Sequence, residues 1–224
     1  NDLNIDVFNP CAEKSFDKIL PNIKKYQGLI WGGSSLNIYN DTDEIRRQIS
    51  FMRECQLKIK KIFAICWGLQ VAVTVAGGQV KKSDKGAHRG IAHNIKVNNI
   101  GSNHKIYLNK KRQFNSPAFN FDEVVKIPEG ATLLSSNELN NVMGLNFKTN
   151  KSDIWGIQYH PEITYEKMVS LIHFRKERLL NKGAFKDQDE INNHILMIEN
   201  EIKNTEKISR MKELENWINY LYEN

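Results

Sequence analysis

Residues 61–73 read Lys61-Ile62-Phe63-Ala64-Ile65-Cys66-Trp67-Gly68-Leu69-Gln70-Val71-Ala72-Val73, and the change of pattern inside this stretch decides the fold. Lys61 to Ile65 is apolar, β-branched and too short for a helix, so it reads as a buried strand. Cys66 to Val73 reads as a helix that Gly77-Gly78 closes. Cys66 falls on the junction, with Ala64 two residues before it and Gly68 two after. A sharp strand-to-helix turn strains its central residue, and only small flanking residues clear it. The side chain is then held above the sheet edge, where the adjacent helix N-terminus favours a thiolate. A lone cysteine would read as core; small residues on both flanks point to a nucleophile.

The pattern repeats upstream. Leu29-Ile30-Trp31 runs into Gly32-Gly33-Ser34-Ser35, a buried strand feeding a tight loop. Asp41 is the expected cap of a helix whose apolar face carries Ile45, Ile49, Met52 and Cys55. Strand, helix, strand and helix in this order call for a parallel sheet with crossover helices. Leu3 to Phe8 alternates like another strand, and the expected fold has one further strand and helix ahead of residue 1.

Downstream, residues 91–97, 105–108, 124–127, 131–135 and 142–147 are short candidate strands. Turns such as Pro128-Glu129-Gly130 separate them, as in an antiparallel meander. Ile154 to Tyr159 is a last apolar strand, and Thr164 is the expected cap of a helix through Met168, Leu171 and Ile172. The tail carries two amphipathic patterns, one on Ile191, Ile195, Ile198 and Ile202, the other on Met211, Leu214, Trp217, Ile218 and Leu221. Packing on the body of the domain is their plain reading, a partner helix the alternative. The expected class is α/β: an open, mostly parallel sheet with helices on both faces, an antiparallel β extension and extra C-terminal helices. Residues 1–180 form the main domain and 181–224 a helical extension packed on it.

Composition narrows the function classes. A chain of 224 residues suffices for one α/β domain or two small ones. Hydrophobic residues at 40% and charged residues at 26% are ordinary globular values, which excludes wholesale disorder. The 32 Lys and Arg against 26 Asp and Glu leave a net charge of +6. The basic residues are scattered apart from runs such as Lys110-Lys111-Arg112, so nucleic acid is not an expected partner. No apolar stretch approaches the ~18 residues of a membrane span, and no signal peptide is visible. Cys11, Cys55 and Cys66 are odd in number and unpatterned, which suits a reducing cytoplasm. The glycosylation-type triplets Asn40-Asp41-Thr42 and Asn150-Lys151-Ser152 then read as chance.

A nucleophilic cysteine needs a base, and the base needs an orienting acceptor. His160-Pro161-Glu162 directly follows a buried strand, so it belongs at the same carboxyl edge of the sheet. In extended backbone, positions 160 and 162 point the same way, so Glu162 can hold one ring nitrogen of His160 while the other faces Cys66. Alone, His-Pro-Glu reads as a surface turn; with the cysteine elbow, the catalytic reading prevails. The backbone N–H groups of Gly33 and Trp67 are the expected oxyanion donors, although Gly32-Gly33 alone is equally a structural turn. His88, His93 and His104 match no familiar ligand spacing, so neither metal nor cofactor is expected.

Together, Gly32-Gly33-Ser34-Ser35, Ala64 to Gln70 with Gly77-Gly78, and Gly156 to Glu162 resemble the class I glutamine amidotransferases over most of residues 1–180. The likeness is nearest to a stand-alone branch similar to the glutaminase domain of GMP synthetase. It implies a flavodoxin-like domain and a Cys-His-Glu triad that hydrolyses glutamine through a γ-glutamyl thioester, releasing ammonia. Carried over, Cys66 is the nucleophile, His160 the general acid and base, and Glu162 its orienter. Gly33 and Trp67 supply the oxyanion N–H groups, and Gln70 and Gly32 belong to the substrate site. Three stretches depart from the family pattern. Gly33-Ser34-Ser35 stands in place of a Gly-Pro-Gly-type loop, and Asn120-Phe121-Asp122 in place of His-Gly-Asp. His88-Arg89-Gly90 matches the substrate-carboxylate loop only loosely.

No Gly-x-x-x-x-Gly-Lys-[Ser/Thr] phosphate loop and no synthetase-sized second domain are present in this sequence. Ammonia is therefore expected to pass to a synthetase partner or be discarded. The runner-up is a stand-alone γ-glutamyl hydrolase or peptidase with the same chemistry and a wider pocket.

Overall fold

The computed structural model describes residues 3–10, 16, 19–149, 151–205 and 207–223. Cys11, and Asn150 of the second glycosylation triplet, lie outside them. The elements follow in chain order: β1 (Leu29–Trp31), α1 (Asp43–Lys58), β2 (Lys61–Ile65), α2 (Trp67–Val75), β3 (Gln79–Lys82), β4 (His88–Val97) and the single turn α3 (Asn99–Ser102). Then come β5 (Gln113–Asn120), β6 (Asp122–Lys126), β7 (Thr132–Ser136), β8 (Gly144–Lys148), β9 (Asp153–Ile157), α4 (Tyr165–Asn181), α5 (Gln188–Asn204), α6 (Lys207–Arg210) and α7 (Lys212–Leu221).

The large sheet has the order β1-β2-β9-β8-β7-β4-β5, with β3 and β6 forming a small antiparallel pair. The ladders β1–β2 and β2–β9 are parallel, and from β8 to β5 neighbours run antiparallel. The α/β class and its antiparallel extension are thus as expected, and the parallel strands are the ones that carry the site. Ala64 pairs with both Trp31 and Gly156, so β1, β2 and β9 end level with one another. Whatever follows them must emerge at one edge.

β2 shows how the layers are divided. Ile62 and Ala64 face a core shared with Ile45, Met52 and Cys55 of α1 and Leu69 and Val71 of α2. Phe63 and Ile65 face the opposite core, which Leu214 and Trp217 of α7 close. The Trp217 ring stacks on Phe63 with centroids 5.8 Å apart, so the tail helix supplies part of the second layer. Ile172 and Leu179 of α4 pack with Ile191, Ile195 and Ile198 of α5, as the two apolar stripes require.

Several local expectations need correction. The cap of α1 is Thr42, whose side chain accepts from Ile45 N, while Asp41 turns left-handed one residue earlier (φ 49°). Residues 105–107 form a 3₁₀ turn rather than a strand, because the His104 ring accepts from Ile106 N and starts a helical turn. Leu3 to Phe8 joins no ladder, and its side chains are exposed. Thr164 caps α4 as expected, accepting from Lys167 N.

Candidate active site

Three loops meet at the level edge. Cys66 N–H donates to Ile157 O at 2.7 Å, tying the end of β2 to the end of β9. Gly68 N–H donates to Gly32 O at 3.2 Å, tying the start of α2 to the loop after β1. A side chain at Gly68 would strike the carbonyl of Trp31, which explains why this flank of the elbow is glycine. Cys66 itself has φ 53° and ψ −103°, a conformation that costs a non-glycine residue ~1–3 kcal/mol. Trp67 anchors the turn, its indole N–H donating to Gln48 Oε1 at 2.8 Å beneath the surface.

His160 and Glu162 follow β9. His160 N–H donates to Pro117 O of β5 at 2.7 Å, which fixes the backbone. Its ring Nδ1 lies 2.6 Å from Glu162 Oε1, and the imidazole is nearly buried. Burial alone would pull this histidine down. The negative charge and hydrogen bonding of Cys66, with the Glu162 carboxylate behind it, outweigh that and raise it to about 10. The structure thus brings the three expected residues to one sheet edge, with His160 hydrogen-bonded to Glu162. Cys55 is the useful contrast: burial pushes that thiol up to about 12, an inert core cysteine.

Gly33 lies flat against the imidazole, since a β-carbon there would stand 2.6 Å from His160 Cε1. Trp67 begins α2, where the first N–H groups have no intrahelical acceptor. Both expected oxyanion donors thus sit at the edge that holds the sulfur. Gly32 is taken up by its carbonyl bond to Gly68. Gln70 is buried one helical turn below Cys66, its carboxamide 3.5 Å from that of Gln158. Gln158 was not expected at the site, yet its Nε2 donates to Cys66 Sγ at 3.4 Å. The signal was there: two residues before His160, it shares a face with it.

A cavity of about 310 Å³ opens from Cys66, Trp67 and Gln70. Asn120, Phe121 and Asp122 wall one side, Arg175 and Arg178 of α4 another. Asp122 accepts from Asn37 Nδ2 at 2.8 Å and Tyr39 OH at 2.9 Å, and burial raises its carboxyl above the usual range. Arg89, in the loosely matched loop, is turned away from this cavity: it pairs with Glu190 at 3.0 Å and lies over Phe185. His88 is buried between Asn120 and Asn137, each 2.9 Å from a ring nitrogen. Among the described residues, no three His, Cys, Asp or Glu are grouped to hold a metal ion, and no helix is long and apolar enough to cross a membrane.

The tail braces the turn that carries His160. Arg210 donates to the carbonyls of Pro161 and Ile163 (2.9 Å for the latter). Glu213 of α7 accepts from Tyr159 OH at 2.6 Å and from Lys110 Nζ at 2.9 Å, with both charged side chains buried.

The profile of the family described as glutamine amidotransferase class-I matches residues 5–177. The chain belongs to that family. Among curated relatives of this class I amidotransferase, a γ-glutamyl-L-1-hydroxyisopropylamide hydrolase from a Pseudomonas species is 29% identical over 163 residues, 71% of this chain and 55% of that protein. The glutamine-hydrolysing GMP synthase subunit of Sulfolobus acidocaldarius is 27% identical over 149 residues, 66% of this chain and 74% of that protein. The match thus spans little more than half the length of the Pseudomonas hydrolase. A glutamine amidotransferase structure from Thermotoga maritima superposes with a TM-score of 0.67 at 18% identity, covering 90% of this chain and 80% of that one, a likeness of fold.

Proposed function

We propose that the chain hydrolyses γ-glutamyl amides, glutamine being the simplest, through a thioester on Cys66. The thiolate attacks the amide carbon, and the oxyanion is held by the N–H groups of Gly33 and Trp67, each such donor contributing about 2.7–4 kcal/mol. His160 gives its proton to the departing nitrogen as the C–N bond breaks. It then takes a proton from the water that cleaves the thioester, releasing glutamate and restoring the thiolate–imidazolium pair. Glu162 orients the ring throughout, and Gln70 and the Gly32 loop position the glutamyl group. The observation that carries this reading is the placement of the His160 ring, 2.6 Å from Glu162 Oε1 and packed on Gly33, at the sheet edge where the Cys66 elbow is tied to the end of β9.

The names of the two curated relatives support it, since one denotes hydrolysis of a γ-glutamyl amide and the other of glutamine. With glutamine as substrate, the ammonia passes to a synthetase partner or is discarded. On this reading residues 1–180 form the reacting domain, and 181–224 an extension that braces it. The test is release of glutamate from glutamine and from γ-glutamyl ethylamide, with mass spectrometry of the Cys66 adduct. Activity that vanishes in Cys66→Ala and His160→Gln supports the reading; turnover that survives Cys66→Ala refutes it.

A further inference from the structure

Resting on that hydrolase reading, we infer that the leaving group of the substrate carries a carboxylate, as in a γ-glutamyl amino acid, and that Arg175 and Arg178 of α4 recognise it. The cavity that opens from Cys66 is lined by four cations, Arg175, Arg178, Lys82 and Lys182, against one carboxylate, Asp122. A γ-glutamyl group brings one ammonium and one carboxylate, so it needs one partner of each sign. The cations left over call for a second negative charge on the ligand, and ammonia leaving from glutamine supplies none.

The two arginines are available for that role. Among the described residues, neither forms an ion pair with a carboxylate, and neither guanidinium makes a hydrogen bond. Arg175 is half-buried, its guanidinium 5.3 Å from the centre of the Phe119 ring. Burial pulls Arg175 down, and the charge of Arg178 pulls the same way. Two guanidinium groups one helical turn apart on the same cavity wall, that of Arg175 over Phe119, suit a planar carboxylate, which arginine binds by paired N–H donors. Arg89 is not a competitor, being bound to Glu190. The volume agrees: about 310 Å³ lies in the range of small-ligand sites.

The experiment compares kcat/KM for γ-glutamylglycine and γ-glutamyl ethylamide, leaving groups of similar size with and without a carboxylate. The purified chain is used as wild type and as Arg175→Gln/Arg178→Gln. The expected result is a preference for the anionic amide of about tenfold or more, what one charge-assisted hydrogen bond supplies. That ratio falls toward one in the double variant and shrinks with added salt as surface charges are screened. Equal kcat/KM for the two amides in the wild type overturns the inference. So does an equal fall for both in the double variant, which would put the arginines on the glutamyl carboxylate instead. Failure to turn over either amide or glutamine, assayed alongside, removes the hydrolase reading itself; turnover of glutamine alone, or of both amides without the preference, leaves that reading standing and removes only this one.

Discussion

Glu213→Gln tests how the tail holds the turn that carries His160. Glu213 and Lys110 are a buried ion pair 2.9 Å apart, their side chains 0% and 3% exposed. Burial pulls the Lys110 ammonium down, and the Glu213 carboxylate holds it up. Glutamine keeps the shape of the side chain and can still accept from Tyr159, but it leaves the ammonium without its anion. Stranding one member of a buried pair costs about 3–5 kcal/mol, a fifth or more of the ~5–15 kcal/mol that stabilises a typical domain. For a chain this size, ~2–4 °C per kcal/mol converts this to a fall in Tm of about 6–20 °C. Urea unfolding followed by tryptophan fluorescence measures it directly, since Trp217 stacks on Phe63 in the layer that α7 closes. Lys110→Met combined with Glu213→Gln should recover much of the loss, because no unpaired charge is then buried. A single-variant cost below about 1 kcal/mol, or a double variant no better than the single, would refute the reasoning. The ion pair would then be solvated, and α7 would not be anchored through it.

Three further outcomes are expected. Gly33→Ala places a methyl group 2.6 Å from His160 Cε1, so the ring or the loop must shift; kcat/KM should fall by about 10²-fold with urea stability little changed, and retained activity would contradict that packing. Cys66→Gly removes the penalty of φ 53° whereas Cys66→Ala keeps it, so the glycine variant should unfold at higher urea, by about 1 kcal/mol; the reverse order would show no strain at the elbow. His160 is raised to about 10, so the stability it contributes is complete below its ordinary ~6.5 and is lost as pH climbs through about 10. The margin of wild type over His160→Gln should therefore shrink between pH 7 and 10.5 in urea titrations, and a margin that grows would invert the assignment.

What the sequence revealed was local. The elbow at Cys66 could be read because strand, small flanks and helix are contiguous, and His160 with Glu162 because a short apolar strand ends just before them. β5 escaped because Pro117 and the polar Asn115-Ser116 interrupt its pattern; it pairs only with β4, and an edge strand tolerates proline. Residues 105–108 misled because a short apolar run suits strand and turn alike, and only the His104 cap decides. Asp41 and Thr42 are both capping residues, and their chemistry alone does not separate them. The brace was invisible for a different reason: Tyr159 and Glu213 lie 54 positions apart, and each reads as a normal residue of its own element. The cationic wall of the cavity was hidden likewise, its arginines lying on the exposed side of a helix pattern.

The grip of Arg210 on the carbonyls of Pro161 and Ile163 has a consequence for biosynthesis. Translation delivers the sulfur early and the clasp late. Until residues 207–221 clear the ribosome, the strand bearing His160 lacks its brace, and the second face of the sheet lacks the Trp217 layer. A chain still lacking residues 207–221 therefore holds the Cys66 elbow without the clasp on the turn that bears His160.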